Sequence, residues 1–161
     1  MIYSSEYTNL SRLSYRFEED FLSTYIQIDS IGKETCTSPN YRFNGLTRHD
    51  VNKYLFQYTI SGTGRIRIGK NVNTLPPGCA FLIEIPSDHE YYLDINDKKW
   101  EFIYIMLHGE WAKCLFGKIT NCIGNVINID GNSRLIQLLN NIFENIRQRN
   151  VEDFYEASDF I

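Results

Sequence analysis

Residues 54–109, YLFQYTISGTGRIRIGKNVNTLPPGCAFLIEIPSDHEYYLDINDKKWEFIYIMLHG, constrain the fold more than any other part of the chain. Short runs of β-branched and aromatic residues alternate there with Gly and Pro, the pattern of successive strands joined by turns. Tyr54, Phe56, Tyr58 and Ile60 fall on one face by the two-residue period of a strand. Gly62 and Thr63 then separate that run from GRIRIG, where Ile66 and Ile68 alternate with Arg65 and Arg67. This predicts a hairpin whose two-residue loop starts at Gly62, since a type II′ turn needs positive φ at its first central residue. Leu75-Pro76-Pro77-Gly78 predicts a second turn, and Pro86-Ser87-Asp88 interrupts the strand that follows, which His89 resumes. After the turn Asn96-Asp97-Lys98-Lys99, a strand over 100–107 sets Trp100, Phe102, Tyr104 and Met106 against Glu101, Ile103, Ile105 and Leu107. Both faces are largely apolar, so a helix is expected to cover the outside of the sheet. A sheet curled onto itself has a mouth lined by alternate side chains, a recurrent site for one small ligand.

The flanks are less regular. The first 23 residues, including Arg16-Phe17-Glu18-Glu19-Asp20, show no sustained period and read as an arm or loop over the barrel mouth. TYIQID from Thr24 reads as a strand, and SIGKETCTSPNYRFNG after it as a long, turn-rich loop. Beyond Gly109, GEWAKCLFGK suits a short helix and NVINID a strand. Residues 133–149 then form the clearest helix, with Asp130 or Asn132 available to cap it. Leu135, Leu139, Ile142 and Ile146 make one apolar stripe, while Ile136 and Phe143 make a second. Two stripes imply two partners: one lies on the barrel, and Leu135, Leu139, Ile142 and Ile146 are the candidate contact between two copies of the chain. A further helix from Val151 is still running at Ile161, which reads as a fragment of a longer protein. The division expected is an arm over 1–23, a barrel over 24–130 and dimerisation helices over 131–161.

At 161 residues the chain is long enough for a core that needs no staple. Its net charge of -4 disfavours nucleic-acid binding by this piece alone. Cys36, Cys79, Cys114 and Cys122 form no CxxC pair, and the N-terminus lacks the regions of a secretory signal, so a cytoplasmic protein is expected. No apolar run approaches the roughly 18 residues that span a bilayer.

The G-x-G of Gly62 and Gly64, the turn at Leu75 to Gly78, the Phe81-Leu82-Ile83 run with Pro86, His89 and Tyr91 after it, and the WEFIYI strand ending in His108-Gly109 together resemble the N-terminal domain of AraC/XylS-family transcription regulators. The likeness covers about residues 45–161. It implies a mainly β fold, a cupin-like double-stranded β-barrel or jelly roll followed by C-terminal α-helices. It also implies an effector sensor that dimerises and binds DNA only through a C-terminal helix-turn-helix domain absent from this chain. By motif, the effector contacts of the arabinose regulator fall on Arg48, Tyr91, Phe102 and Tyr104. Phe102 stands where that sensor has a histidine and Tyr104 where it has a tryptophan, departures that argue against arabinose itself.

Arg48 offers a planar fork of donors suited to a carboxylate, a phosphate or vicinal hydroxyls. Tyr91, Trp100, Phe102 and Tyr104 are the candidate aromatic wall for the apolar face of a sugar or an aromatic effector, or else core. His89 is a candidate ligand contact whose alternative role is ordering the turn after Pro86. No catalytic residue, cofactor or metal is expected. Metal-bearing cupins resemble one another in paired histidines after the first Gly motif, where this chain has Arg65, Arg67, Lys70 and Asn71. The expectation is therefore a small-molecule effector, a sugar or similar metabolite, with homodimerisation and no membrane. The rival is a cupin-fold enzyme, a metal-dependent isomerase or dioxygenase, using His49, His89 and His108.

Overall fold

The computed structural model of the chain describes residues 10–16 and 24–149. The helix expected from Val151 lies outside them. Among the described residues, ten strands make two antiparallel sheets. The larger contains β1 (Leu10–Arg16), β2 (Gln27–Cys36), β4 (Lys53–Gly62), β7 (Cys79–Ile85), β9 (Trp100–His108) and β10 (Val126–Asn128), in the order β1-β2-β9-β4-β7-β10. The smaller holds β3 (Arg42–Asn44), β5 (Gly64–Ile68), β6 (Asn71–Leu75) and β8 (His89–Tyr92), in the order β3-β8-β5-β6. Helix α1 (Glu110–Ile123) follows β9, and α2 (Arg134–Arg149) follows β10. The fold is mainly β and cupin-like, a double-stranded barrel with helices at the end of the chain.

The hairpin expected at Gly62 is absent. β4 pairs with β7 and β9, whereas β5 pairs with β6 and β8. The chain therefore turns a corner at Gly62-Thr63 and changes sheet. Gly62 does adopt the expected positive φ of 72°, but alternation alone cannot tell a hairpin from a corner. The type II′ logic applies one strand later: β5 and β6 are joined by Gly69-Lys70, and of that pair only Gly69 has positive φ. The strand around Pro86 breaks in the same way, β7 lying in one sheet and β8 in the other. The turn at Leu75 to Gly78 is as expected, with Cys79 N donating to Pro76 O at 3.0 Å.

Two segments expected to be irregular are strands. Residues 10–16 of the supposed arm pair along their whole length with β2. Much of the supposed loop after Asp29 is β2 itself, paired on both sides, with β1 and β9. Gly32 reads as a breaker in sequence, yet it sits mid-strand because a Cβ there would lie 2.8 Å from both Ser14 Cβ and Tyr104 Cε1.

Hydrophobic burial occurs in two layers. Leu55, Phe81, Ile83, Trp100, Phe102 and Met106 point between the sheets. On the outer face of the larger sheet, Tyr54, Phe56, Tyr58 and Ile103 pack with Phe116 of α1 and Ile136, Leu139, Ile142, Phe143 and Ile146 of α2. β9 is thus covered on both faces, as its composition requires. This corrects the stripe assigned to a partner: Leu139 is 4%, Ile142 5% and Ile146 0% exposed, all within the chain's own core. Only Leu135 of that set stays exposed, and Leu138 stands beside it. The cap also differs. Ser133 Oγ accepts from Ile136 N at 3.4 Å, while Asp130 Oδ1 accepts from Asn132 N in the preceding turn.

Candidate functional site

The space between the sheets is only partly filled. Along the inner face of β9, Trp100 and Phe102 are fully buried and pack against each other at 4.8 Å between ring centroids. The next two inward residues, Tyr104 and Met106, line an open cavity of about 520 Å³. β4 contributes Leu55 and Gln57, β2 contributes Ser30 and Glu34, and β1 contributes Ser14, Tyr15 and Arg16. Tyr41, Phe43, Arg48, His49, Asp50 and Tyr91 complete the wall. A space of this size suits one small metabolite.

Arg48 is the organising group. Its Nη1 donates to the Tyr91 hydroxyl at 2.7 Å, while Nε and Nη2 donate to Asp50 Oδ2 at 2.8 and 2.5 Å. The guanidinium carbon lies 5.6 Å from the centroid of Phe43, which stacks on Tyr91 at 5.3 Å and 20°. Tyr41 meets Phe43 nearly edge-on at 5.1 Å. An aromatic wall and a fixed fork of donors therefore face one space. Burial pushes the Tyr91 phenol up despite the opposing pull of Arg48, and it raises Tyr41 well above the ordinary range. Both hydroxyls stay protonated at neutral pH and can donate as well as accept. Among the described residues the lining carries two cations, Arg16 and Arg48, and two carboxylates, Glu34 and Asp50.

Of the residues proposed from sequence, Arg48, Tyr91 and Tyr104 line the cavity. Trp100, Phe102 and His89 do not. The Trp100 indole donates to Thr59 Oγ1 at 3.0 Å inside the filled half of the barrel. His89 is fully buried with Nδ1 at 2.7 Å from Ser87 Oγ, which gives it the turn-ordering role. Burial first, then the charges of Arg48 and Arg67, lower its pKa to about 4, so the ring is neutral. Sequence reasoning missed Glu34, Tyr41, Phe43 and Gln57. Glu34 and Tyr41 fell in the supposed loop. Gln57 lies on the face of β4 opposite the Tyr54, Phe56 and Tyr58 stripe, which packs under the helices. A polar residue inside an otherwise apolar strand was the available signal.

No three His, Cys, Asp or Glu side chains among the described residues are grouped as a metal site would need. His49 lies on the cavity wall, His89 stacks on Tyr91 in the core, and His108 Nε2 meets Gln27 Oε1 at 2.5 Å. No helix among the described residues is long and apolar enough to cross a membrane.

Among solved structures, the fold is similar to the cupin domain of an XRE family transcriptional regulator from Enterobacter cloacae, with a TM-score of 0.45, 15% identity and coverage of 63% of this chain and 97% of that one. A HTH_3 family transcriptional regulator from Vibrio cholerae matches with a TM-score of 0.46 and 14% identity, over 62% of this chain and 51% of that one. YhaK from Escherichia coli matches with a TM-score of 0.49 and 18% identity, over 62% and 45%. The chain thus spans about half the length of the latter two. No curated protein matches in sequence. The AraC-like ligand binding domain family matches residues 31–159, four-fifths of the chain and all of the cavity wall except β1 and Ser30. The chain belongs to the AraC-like ligand binding domain family.

Proposed function

We propose that this chain is the effector-sensing part of a cytoplasmic transcription regulator, that its effector is a small uncharged polar metabolite such as a sugar, and that it performs no chemistry. DNA binding would belong to a separate C-terminal domain. The observation that carries the reading is the cavity of about 520 Å³ in which Arg48, held by Asp50, presents a hydrogen-bonded pair with Tyr91 beside an aromatic wall. Hydroxyl groups that both donate and accept match that lining, and a sugar's apolar face matches Phe43 and Tyr91. Because Asp50 already engages Arg48 and the lining charges cancel, a fully anionic ligand gains less there than a neutral one.

Association of two copies belongs to the same proposal, with Leu135 and Leu138 on the outer side of α2 as contact residues in place of the buried stripe. Isothermal titration with neutral monosaccharides and sugar phosphates, comparing the parent with Arg48→Ala, tests the site. Loss of about tenfold or more in affinity is expected on removing a charged hydrogen-bonding partner. Equal affinity in the two proteins would take Arg48 out of the site. The enzyme reading draws no support from the three histidines, which lie apart.

A further inference from the structure

One donor in the cavity wall is unmet. Gln57 is 2% exposed, lines the cavity, and its Nε2 has no hydrogen-bond partner among the described residues. The inward-facing residues of β4 are Lys53, Leu55, Gln57 and Thr59, and the other polar members of that row are matched. Lys53 Nζ lies 2.8 Å from Asp29 Oδ1, and Thr59 Oγ1 accepts from the Trp100 indole at 3.0 Å. Facing Gln57 across the sheet are Tyr104 on β9 and Phe81 on β7. Phe81 is fully buried and offers no acceptor. A buried amide N–H left without an acceptor is unfavourable unless something enters to accept from it.

We propose that Gln57 is a specificity-determining residue: its Nε2 donates to an uncharged acceptor oxygen of the bound effector, a hydroxyl, ring ether or carbonyl. The contact lies deeper than the Arg48–Asp50 pair, whose side chains are 16% and 30% exposed. The effector therefore carries polar groups at two places, one read near the mouth and one read inside. An anionic oxygen is disfavoured at the inner point, because the buried Glu34 shares the wall and the Arg48 charge is engaged by Asp50. Leu55 and Met106, paired with each other one inward position from the Gln57–Tyr104 pair, add apolar surface to the wall between Gln57 and Arg48, whose Nη2 lies 4.0 Å from Met106 Sδ. A buried amide in such a wall discriminates sharply against analogues that lack the acceptor.

This inference rests on the reading of the cavity as an effector site. The test titrates D-xylose, D-galactose, galactose 1-phosphate and the deoxy analogues of the two sugars into the parent, Gln57→Met and Gln57→Asn, and follows each protein's thermal midpoint without ligand. Gln57→Met keeps the volume and removes the donor. Its unliganded midpoint should equal or exceed the parent's, while affinity for the tightest neutral sugar falls about tenfold or more. The deoxy analogue lacking the oxygen that is read should bind the parent weakly and the Met variant no worse than the full sugar. Gln57→Asn, which keeps the amide but draws it back, should fall between, and it decides the matter alone if the Met variant does not fold. Equal affinity in all three proteins would overturn the role of Gln57 and leave the sensor reading standing. Tighter binding of the phosphate would overturn the uncharged assignment. No binding of any sugar to the parent would retire the sugar reading and this inference with it.

Discussion

His89 lies off the cavity wall yet still matters, in the turn-ordering role that was the alternative to ligand contact. The imidazole is buried against Gly45, where a Cβ would run into the ring. The native ring titrates near pH 4, the unfolded one near 6.5. Between those values the unfolded chain binds more protons, so stability falls as pH drops from about 6.5 towards 4 and this contribution then levels off. The gap corresponds to roughly 3 kcal/mol. Urea unfolding of the parent and His89→Gln at pH 7, 6 and 5 should show the parent losing stability faster, and parallel losses would refute the assignment. Gly32 makes the complementary point. A methyl at this position has nowhere to go between Ser14 and Tyr104, so Gly32→Ala should cost about 1–3 kcal/mol of stability by overpacking and weaken ligand binding through Tyr104. A variant as stable as the parent would mean that β1 gives way freely. In sequence this glycine was indistinguishable from a loop glycine, because its reason lies in residues 18 and 72 positions away.

At the level of elements, period-two alternation locates β4, β5, β7, β8 and β9 but not β6, and the three- and four-residue apolar spacing locates α2 to within a residue. Alternation could not assign partners. β4 and β5 are consecutive, amphipathic and separated by a glycine, yet they belong to different sheets. Alternation also names two faces without saying which is inside: Tyr54, Phe56 and Tyr58 lie under the helices, and the cavity takes the face with Gln57. The stripes of α2 posed the same ambiguity, and both settle on the barrel except for Leu135, which stays exposed. Leu139→Ala should therefore destabilise the chain by about 2–5 kcal/mol, a core truncation, measured as a lower denaturation midpoint. Leu138→Glu, on the exposed side, should leave that midpoint nearly unchanged and lower the sedimenting mass if two copies meet there. The reverse pattern, with Leu139 setting the mass and not the stability, would restore the original stripe.

For the molecule as a whole, the question is how an occupied cavity would be felt outside it. β1 is the edge strand that borders the cavity with Ser14 and turns Tyr15 towards α2, where its ring lies 6.0 Å from Phe143. Lys33 on the neighbouring strand stands 4.9 Å over the same Phe143 ring and 3.5 Å from Glu144. The ion pair is partly exposed and adds little by itself. The aromatic contact is buried and gives β1 and α2 a shared surface. An effector that touches Ser14 or Tyr104 favours whichever arrangement of β1 it binds better, and α2 follows only as far as that preference extends. Hydrogen exchange tests this directly. Saturating effector at about 100 times Kd should stabilise the fold by about 2.7 kcal/mol, and the slowing should reach the amides of β1 and of α2 around Phe143. In Phe143→Leu, which keeps an apolar core but removes the ring contact, β1 should still be protected while the added protection of α2 shrinks. Equal protection of α2 in both proteins would show that occupancy reaches the helix by a route other than β1.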